Sequence, residues 1–136
     1  MFVPPIAGAE KAFQQLRDAG FLLASSTGFG REIAASIFHR LQWEKYFAAM
    51  ITSDDVTQGR PSPYMIFHAM EGARAASVAG VVAVGDTPLD LQAGTNAGAR
   101  RVVGVLSGVG KKEQLEREPH TDIIESVAAL PGLLAS

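Results

Sequence analysis

Val81-Val82-Ala83-Val84-Gly85-Asp86-Thr87-Pro88-Leu89-Asp90 holds a complete strand-to-helix joint. Val81 to Gly85 is short, evenly apolar and rich in β-branched residues, the pattern of a strand buried on both faces rather than of a helix. Proline is tolerated in the first turn of a helix and not later, so Pro88 marks the start of the helix that follows. Asp86 then stands at the tip of the strand and Asp90 within the first helical turn. That spacing lets both carboxylates address one small volume.

Working outward, the same alternation recurs on both sides. Upstream, Ala12, Phe13 and Leu16 share a helical face that stops at Gly20, and Phe21 to Ser25 reads as a buried strand. A helix is predicted from about Arg31 to Leu41, with Ile33, Ala34, Ile37, Phe38 and Leu41 inward, then a strand from Ala48 to Thr52. Pro61 and Pro63 open a helix whose buried stripe is Met65, Ile66, Ala69 and Met70. Downstream, the Pro88 helix ends near Gly98 and Arg101 to Leu106 forms a further strand. Lys111 to Glu118 reads as a short solvated helix, Asp122 to Ile124 as an edge strand, and Ser126 to Leu134 as a helix interrupted at Pro131. Strands alternating with helices of this length imply βαβ units and a mainly parallel sheet. The expected fold is α/β, a Rossmann-like three-layer arrangement, forming one domain over residues 1–136.

Composition narrows the function. The 136 residues carry a formal net charge of -2, and their twelve Lys and Arg are scattered, which does not fit a nucleic-acid footprint. There is no cysteine, hence no disulfide framework and no thiolate metal site. No run approaches the roughly 20 apolar residues of a membrane helix, and Met1 to Pro5 has no basic, long-apolar leader pattern. The expectation is a soluble, cytoplasmic protein.

In open parallel sheets ligands bind beyond the carboxyl ends of the strands, and three such joints are polar. Ser25-Ser26-Thr27-Gly28-Phe29-Gly30-Arg31 offers a hydroxyl and unpaired N–H groups at a helix start, which suit a phosphate; the same residues also make an ordinary N-cap and turn. Ser53-Asp54-Asp55-Val56 is followed by Gly59-Arg60-Pro61, where Arg60 is either a fixed positive charge at the same sheet edge or a surface side chain. Adjacent Asp54 and Asp55 point opposite ways on an extended chain, so the pair reads as structural. Asp86 and Asp90 supply hard oxygen ligands suited to Mg²⁺, or else an N-cap and a residue favoured by the helix dipole. Taken together, a hydroxyl–glycine turn, a fixed Arg and an acidic pair at successive strand ends make a phosphate-and-magnesium site. His39, His68 and His120 show no metal spacing, and Trp43 reads as packing at a helix end.

That order of segments resembles the haloacid dehalogenase superfamily, and within it the phosphonatase-like branch. The resemblance rests on Ser25-Ser26-Thr27-Gly28-Phe29, Asp54-Asp55-Val56, Gly59-Arg60-Pro61-Ser62-Pro63, Val84 to Asp90 and Ala93-Gly94-Thr95-Asn96-Ala97-Gly98-Ala99. It implies a Mg²⁺-dependent phosphohydrolase core acting on a small phosphorylated or phosphonate substrate through an aspartyl-phosphate. Thr27 would be the phosphate-binding hydroxyl, Gly28 its N–H partner and Arg60 the positive charge beside the phosphate. Asp86 would ligate Mg²⁺ and Asp90 would help hold it.

One departure is large. The family's nucleophile is an aspartate followed closely by Gly-Thr on an N-terminal strand, and Val3 to Ala9 instead resembles the return to the core after the inserted cap. The first core strand, the nucleophile and the cap, including the Schiff-base lysine of true phosphonatases, are expected to be absent from these residues. The chain is therefore expected to be inactive alone. The alternative is a non-catalytic phosphate-binding or interaction module of the same fold. By the same resemblance, the absent strand would lie between those at Phe21–Ser25 and Val81–Gly85. Their facing edges should then close together or recruit another chain, as a homodimer or by strand exchange.

Overall fold

A computed structural model describes residues 7–135. The elements run α1 (Ala9–Asp18), β1 (Ala24–Ser26), α2 (Arg31–Leu41), β2 (Ala49–Ile51), α3 (Tyr64–Gly72), β3 (Val82–Gly85), α4 (Pro88–Ala97), β4 (Arg101–Val105), α5 (Lys112–Glu116), β5 (Asp122–Ile124) and α6 (Leu130–Leu134). All strand pairings are parallel: β1 lies beside β2 in register Ala24 to Ala49, β3 beside β4, and β4 beside β5. The α/β arrangement expected from the sequence is therefore present, with helices on both faces.

β4 shows how the two faces are built. Consecutive side chains of a strand point to opposite faces. Val102 packs with Leu91 of α4 and Leu115 of α5, while Val103 packs with Leu16 of α1 and Leu130 of α6. Leu23, just before β1, and Val82 of β3 join this second cluster, so α1 and α6 tie the two halves of the molecule together. On the opposite face α3 lies against β1 and β2, and it also touches α4. Around α1, the ring of Phe13 meets Trp43 edge-on at 5.1 Å and Phe47 at 5.1 Å, and Phe38 meets Trp43 at 6.0 Å. Trp43 is packing, as its position after α2 suggests.

β1 and β3 do not pair. The strands form a two-stranded sheet, β1-β2, and a three-stranded sheet, β3-β4-β5, and the edges of β1 and β3 remain apart. β4, paired on both sides, is buried from Val102 to Val105, whereas Val84 of β3 is 40% exposed.

Three local expectations change. The first strand begins at Ala24 rather than Phe21, and Phe21 and Leu22 are exposed, because only Ala24 to Ser26 has β2 alongside. Of the side chains expected inward on α2, Ala34 is buried and Ile37, Phe38 and Leu41 are half-buried, but Ile33 lies off that side and is exposed. Pro131 does not interrupt the last helix. Val127–Ala129 is a 3-10 turn, and α6 starts afresh with Pro131 in its first turn, where a missing N–H costs nothing.

Candidate functional site

The site is assembled at the carboxyl ends of β1 and β3, from the loops that leave them and the segment leading into α3. After β1, the Thr27 N–H donates to the Ile51 carbonyl at 3.0 Å, which continues the pairing with β2. The Thr27 hydroxyl oxygen accepts from the Phe29 N–H at 3.2 Å, so its own proton is still available for donation. A side chain at Gly28 would begin 3.0 Å from an Arg60 nitrogen. The guanidinium thus lies directly against the Gly28 backbone, and the first two joints meet.

Arg60 also reaches the third. Its Nη1 donates to Asp90 Oδ1 at 2.5 Å, with the side chains 31% and 15% exposed. The other Asp90 oxygen accepts from the backbone N–H groups of Asp86 at 3.0 Å and Thr87 at 3.1 Å, while the Thr87 hydroxyl accepts from the Asp90 N–H at 3.3 Å. This is a capping box at the start of α4, in which side chains satisfy N–H groups that the helix itself leaves unpaired. Burial pushes the Asp90 carboxyl up, but the Arg60 hydrogen bond and charge, with the bonds from Thr87 and Asp86, outweigh it and hold Asp90 below its ordinary value. Gly85 makes the fold-back possible: a Cβ there would sit 2.1 Å from that of Asp90.

Asp86 is held from the far side by the loop after β4. Its Oδ2 accepts from the Val109 N–H at 3.0 Å, and its backbone carbonyl accepts from the Gly110 N–H at 3.0 Å. A Cβ at Gly108 would fall 2.0 Å from Asp86 Oδ2, and one at Gly110 2.1 Å from the Asp86 carbonyl oxygen. Sequence reasoning missed this loop. The signal was present, since Gly108-Val109-Gly110 follows the end of a strand, where the same rule had already located the other joints.

Asp54 and Asp55 hold the framework. Asp54 Oδ2 accepts from the Arg31 N–H at 2.7 Å, capping α2 from the neighbouring loop. Asp55 accepts from the Thr52 N–H at 2.7 Å and pairs with Arg31 at 2.7 Å; the Thr52 bond first, then Arg31, lower its pKa. Thr27, Gly28, Arg60, Asp86 and Asp90, the residues singled out in the sequence, lie in one continuous chain of contacts or adjoin it. As metal ligands the two acids differ. Both Asp90 oxygens are engaged by Arg60 and by N–H groups, whereas one Asp86 oxygen has no such partner among the described residues. Among the described residues no group of three or more His, Cys, Asp or Glu could enclose an ion. Asp86 fits a single carboxylate ligand of the kind Mg²⁺ accepts when water and phosphate oxygens complete its shell. No helix among the described residues is long and apolar enough to cross a membrane.

Residues 1–105 match the family model for haloacid dehalogenase-like hydrolases. The phosphonoacetaldehyde hydrolase of Lysinibacillus sphaericus is 35% identical over 119 residues, which cover 86% of this chain and 44% of that protein. That of Parabacteroides distasonis is 32% identical over 118 residues, with 86% and 44% covered. The chain thus spans less than half the length of these relatives. Among solved structures, a hydrolase from Pseudomonas syringae superposes with a TM-score of 0.85 at 25% identity, over 96% of this chain and 58% of that one. A phosphonoacetaldehyde hydrolase-like protein from Oleispira antarctica gives a TM-score of 0.83 at 24% identity, over 96% and 55%.

Proposed function

Because the chain belongs to the haloacid dehalogenase-like hydrolase family, we propose that it forms the phosphate- and Mg²⁺-binding side of a phosphohydrolase or phosphonatase site. The substrate class is a small phosphorylated or phosphonate compound. The observation that carries this reading is the contact chain Gly28–Arg60–Asp90–Asp86, which brings a backbone turn, a cation and a carboxylate from three separate joints to one place.

In this reading the Thr27 hydroxyl and the Gly28 N–H donate to phosphoryl oxygens, and Arg60 neutralises their charge. Asp90 acts behind them: it fixes the Arg60 guanidinium and the Asp86 backbone. Asp86 offers its remaining oxygen to Mg²⁺, which when bound supplies charge neutralisation at the transferring phosphoryl group. Catalysis of this kind is largely positioning and electrostatic stabilisation.

A second reading, a phosphate-binding module without turnover, is favoured by the engagement of both Asp90 oxygens and one of Asp86. Titration of the ¹⁵N-labelled chain with inorganic phosphate tests what the two readings share. Shifts are expected at Thr27, Gly28 and Phe29 and should be much weaker in Arg60→Ala. Equal shifts in that variant, or shifts confined to other surfaces, would remove the basis for both. Turnover by a longer chain that carries an aspartate nucleophile separates the first reading from the second.

A further inference from the structure

The Arg60 guanidinium is fastened to Asp90, but so long a side chain is aimed only as well as its own main chain is held. Arg60 stands in the segment 57–63, between the 53–55 turn and α3, where no helix or strand fixes the backbone. Two bonds shape that segment from within. The Ser62 N–H donates to the Gly59 carbonyl at 3.0 Å, and the Ser62 hydroxyl donates to Gln58 Oε1 at 3.1 Å. Neither ties it to the sheet.

A bond from α4 does. Asn96 Nδ2 donates to the Pro61 carbonyl at 2.8 Å, across 35 residues of sequence. α4 is a firm support: Leu91, Ala93, Gly94 and Ala97 are buried, and a Cβ on Gly94 would come within 2.9 Å of that of Ala83 on β3. Asn96 lies off that face and is exposed. Asparagine is a poor helix former because its side chain competes for nearby backbone groups; here the amide reaches a distant carbonyl instead. α4 thus grips the Arg60 segment at two levels, six residues or about 9 Å apart along its axis. Asp90 takes the guanidinium, and Asn96 takes the main chain one residue beyond it.

We propose that Asn96 is a positioning residue of the phosphate site, holding the backbone beside Arg60 so that the guanidinium stays between Asp90 and the Gly28 turn. The role rests on the reading of that site as one for phosphate. Asn96 touches no ligand and acts through Arg60. Without its amide, Asp90 still attracts the guanidinium, but the stem moves with an untethered segment. The cost of ordering that side chain then falls on ligand binding, where preorganisation had removed it. A single exposed hydrogen bond contributes little to folding, so the effect belongs at the site rather than in global stability.

The test compares Asn96→Ala with Thr95→Ala, its exposed neighbour on α4, whose hydroxyl reaches the Pro119 carbonyl at 3.5 Å rather than the Arg60 segment. Two measurements are made on the ¹⁵N-labelled chain. Relaxation of the Arg60 Nε–H group reports how firmly the side chain is held, and titration with inorganic phosphate reports the site. In Asn96→Ala the Arg60 order parameter should fall by about a third, the step from a rigid to a flexible group. Phosphate binding should weaken about threefold to tenfold. Thr95→Ala should match the wild type in both, and Asn96→Gln, which keeps the amide donor, should recover part of each loss. An unchanged Arg60 order parameter in Asn96→Ala would overturn the proposal. So would an equal fall in Thr95→Ala, which would trace the effect to the helix as a whole, and so would unchanged phosphate binding beside a loosened Arg60. Failure of the wild type to bind phosphate would strike the reading of the site instead. The relaxation measurement needs no phosphate and would still decide whether Asn96 holds Arg60.

Discussion

Arg60 donates to Asp90 Oδ1 while the opposite side of its guanidinium rests against the Gly28 backbone, so one side chain joins the β1 turn to the start of α4. This relationship makes the site mechanically continuous, and it exposes the site to pH. The folded pKa of Asp90 lies below its ordinary value of 3.8, so the unfolded chain binds a proton more readily than the folded one. Its contribution to stability is thus fully present above about pH 4 and is lost as the pH falls through the lower, folded value.

Asp90→Asn should therefore destabilise the chain at neutral pH by about 1–3 kcal/mol, the scale of a charge-assisted, partly buried hydrogen bond. The deficit should shrink below pH 4. Urea unfolding at pH 7 and pH 3 measures both effects, and a deficit independent of pH would show that the ion pair contributes nothing.

Gly85→Ala places a Cβ 2.1 Å from that of Asp90. Both neighbours are held by backbone bonds, and relief would require opening the capping box. A loss of about 1–3 kcal/mol is expected from the overpacking alone, read from the urea midpoint. Amide shifts at Asp86 and Thr87 should accompany it, and a neutral outcome would mean that the joint is looser than its contacts indicate.

Leu115 is fully buried between Leu91 and Val102, whereas Val109 is 82% exposed and serves Asp86 through its backbone. Leu115→Ala should cost about 2–5 kcal/mol, a large share of a typical domain's stability. Val109→Ala should stay within about 0.5 kcal/mol. Thermal melts of the two variants side by side check the contrast.

Turnover by the chain alone is expected to be absent. Asp90 is ion-paired, one Asp86 oxygen is held by Val109, and β1 ends in Ser25-Ser26-Thr27. None of these is a free carboxylate poised to attack phosphorus. An assay with Mg²⁺ on phosphonoacetaldehyde and generic phosphate esters should give no more product than Asp86→Ala does.

Much of this was legible in the residues themselves. Periodicity and punctuation suffice for Val82–Gly85 and Pro88–Ala97, because an unbroken β-branched run and a proline at a helix start are local facts of sterics and burial. Asp54 and Asp55 are structural, as read, but not because an extended chain parts them: Ser53–Asp55 is a 3-10 turn, and both carboxylates reach Arg31, one at its N–H and the other at its guanidinium. The rule that ligands gather at strand ends picks out Thr27, Arg60, Asp86 and Asp90 from the sequence alone.

Other features had no local signature. That Asp90 faces Arg60 and two N–H groups depends on how α4 docks beside the segment before α3, some 30 residues away in sequence. That Gly108 and Gly110 grip Asp86 depends on β4 lying next to β3. Whether Val84 is an interior or an edge residue cannot be read from Val84, since strand burial is a property of what pairs alongside. Local chemistry determined which residues stand out as candidates at the strand ends and which runs could become strands. Tertiary packing alone decided which carboxylate has an oxygen without a partner among the described residues, and that β1 and β3 stand apart, because both depend on contacts between segments distant along the chain.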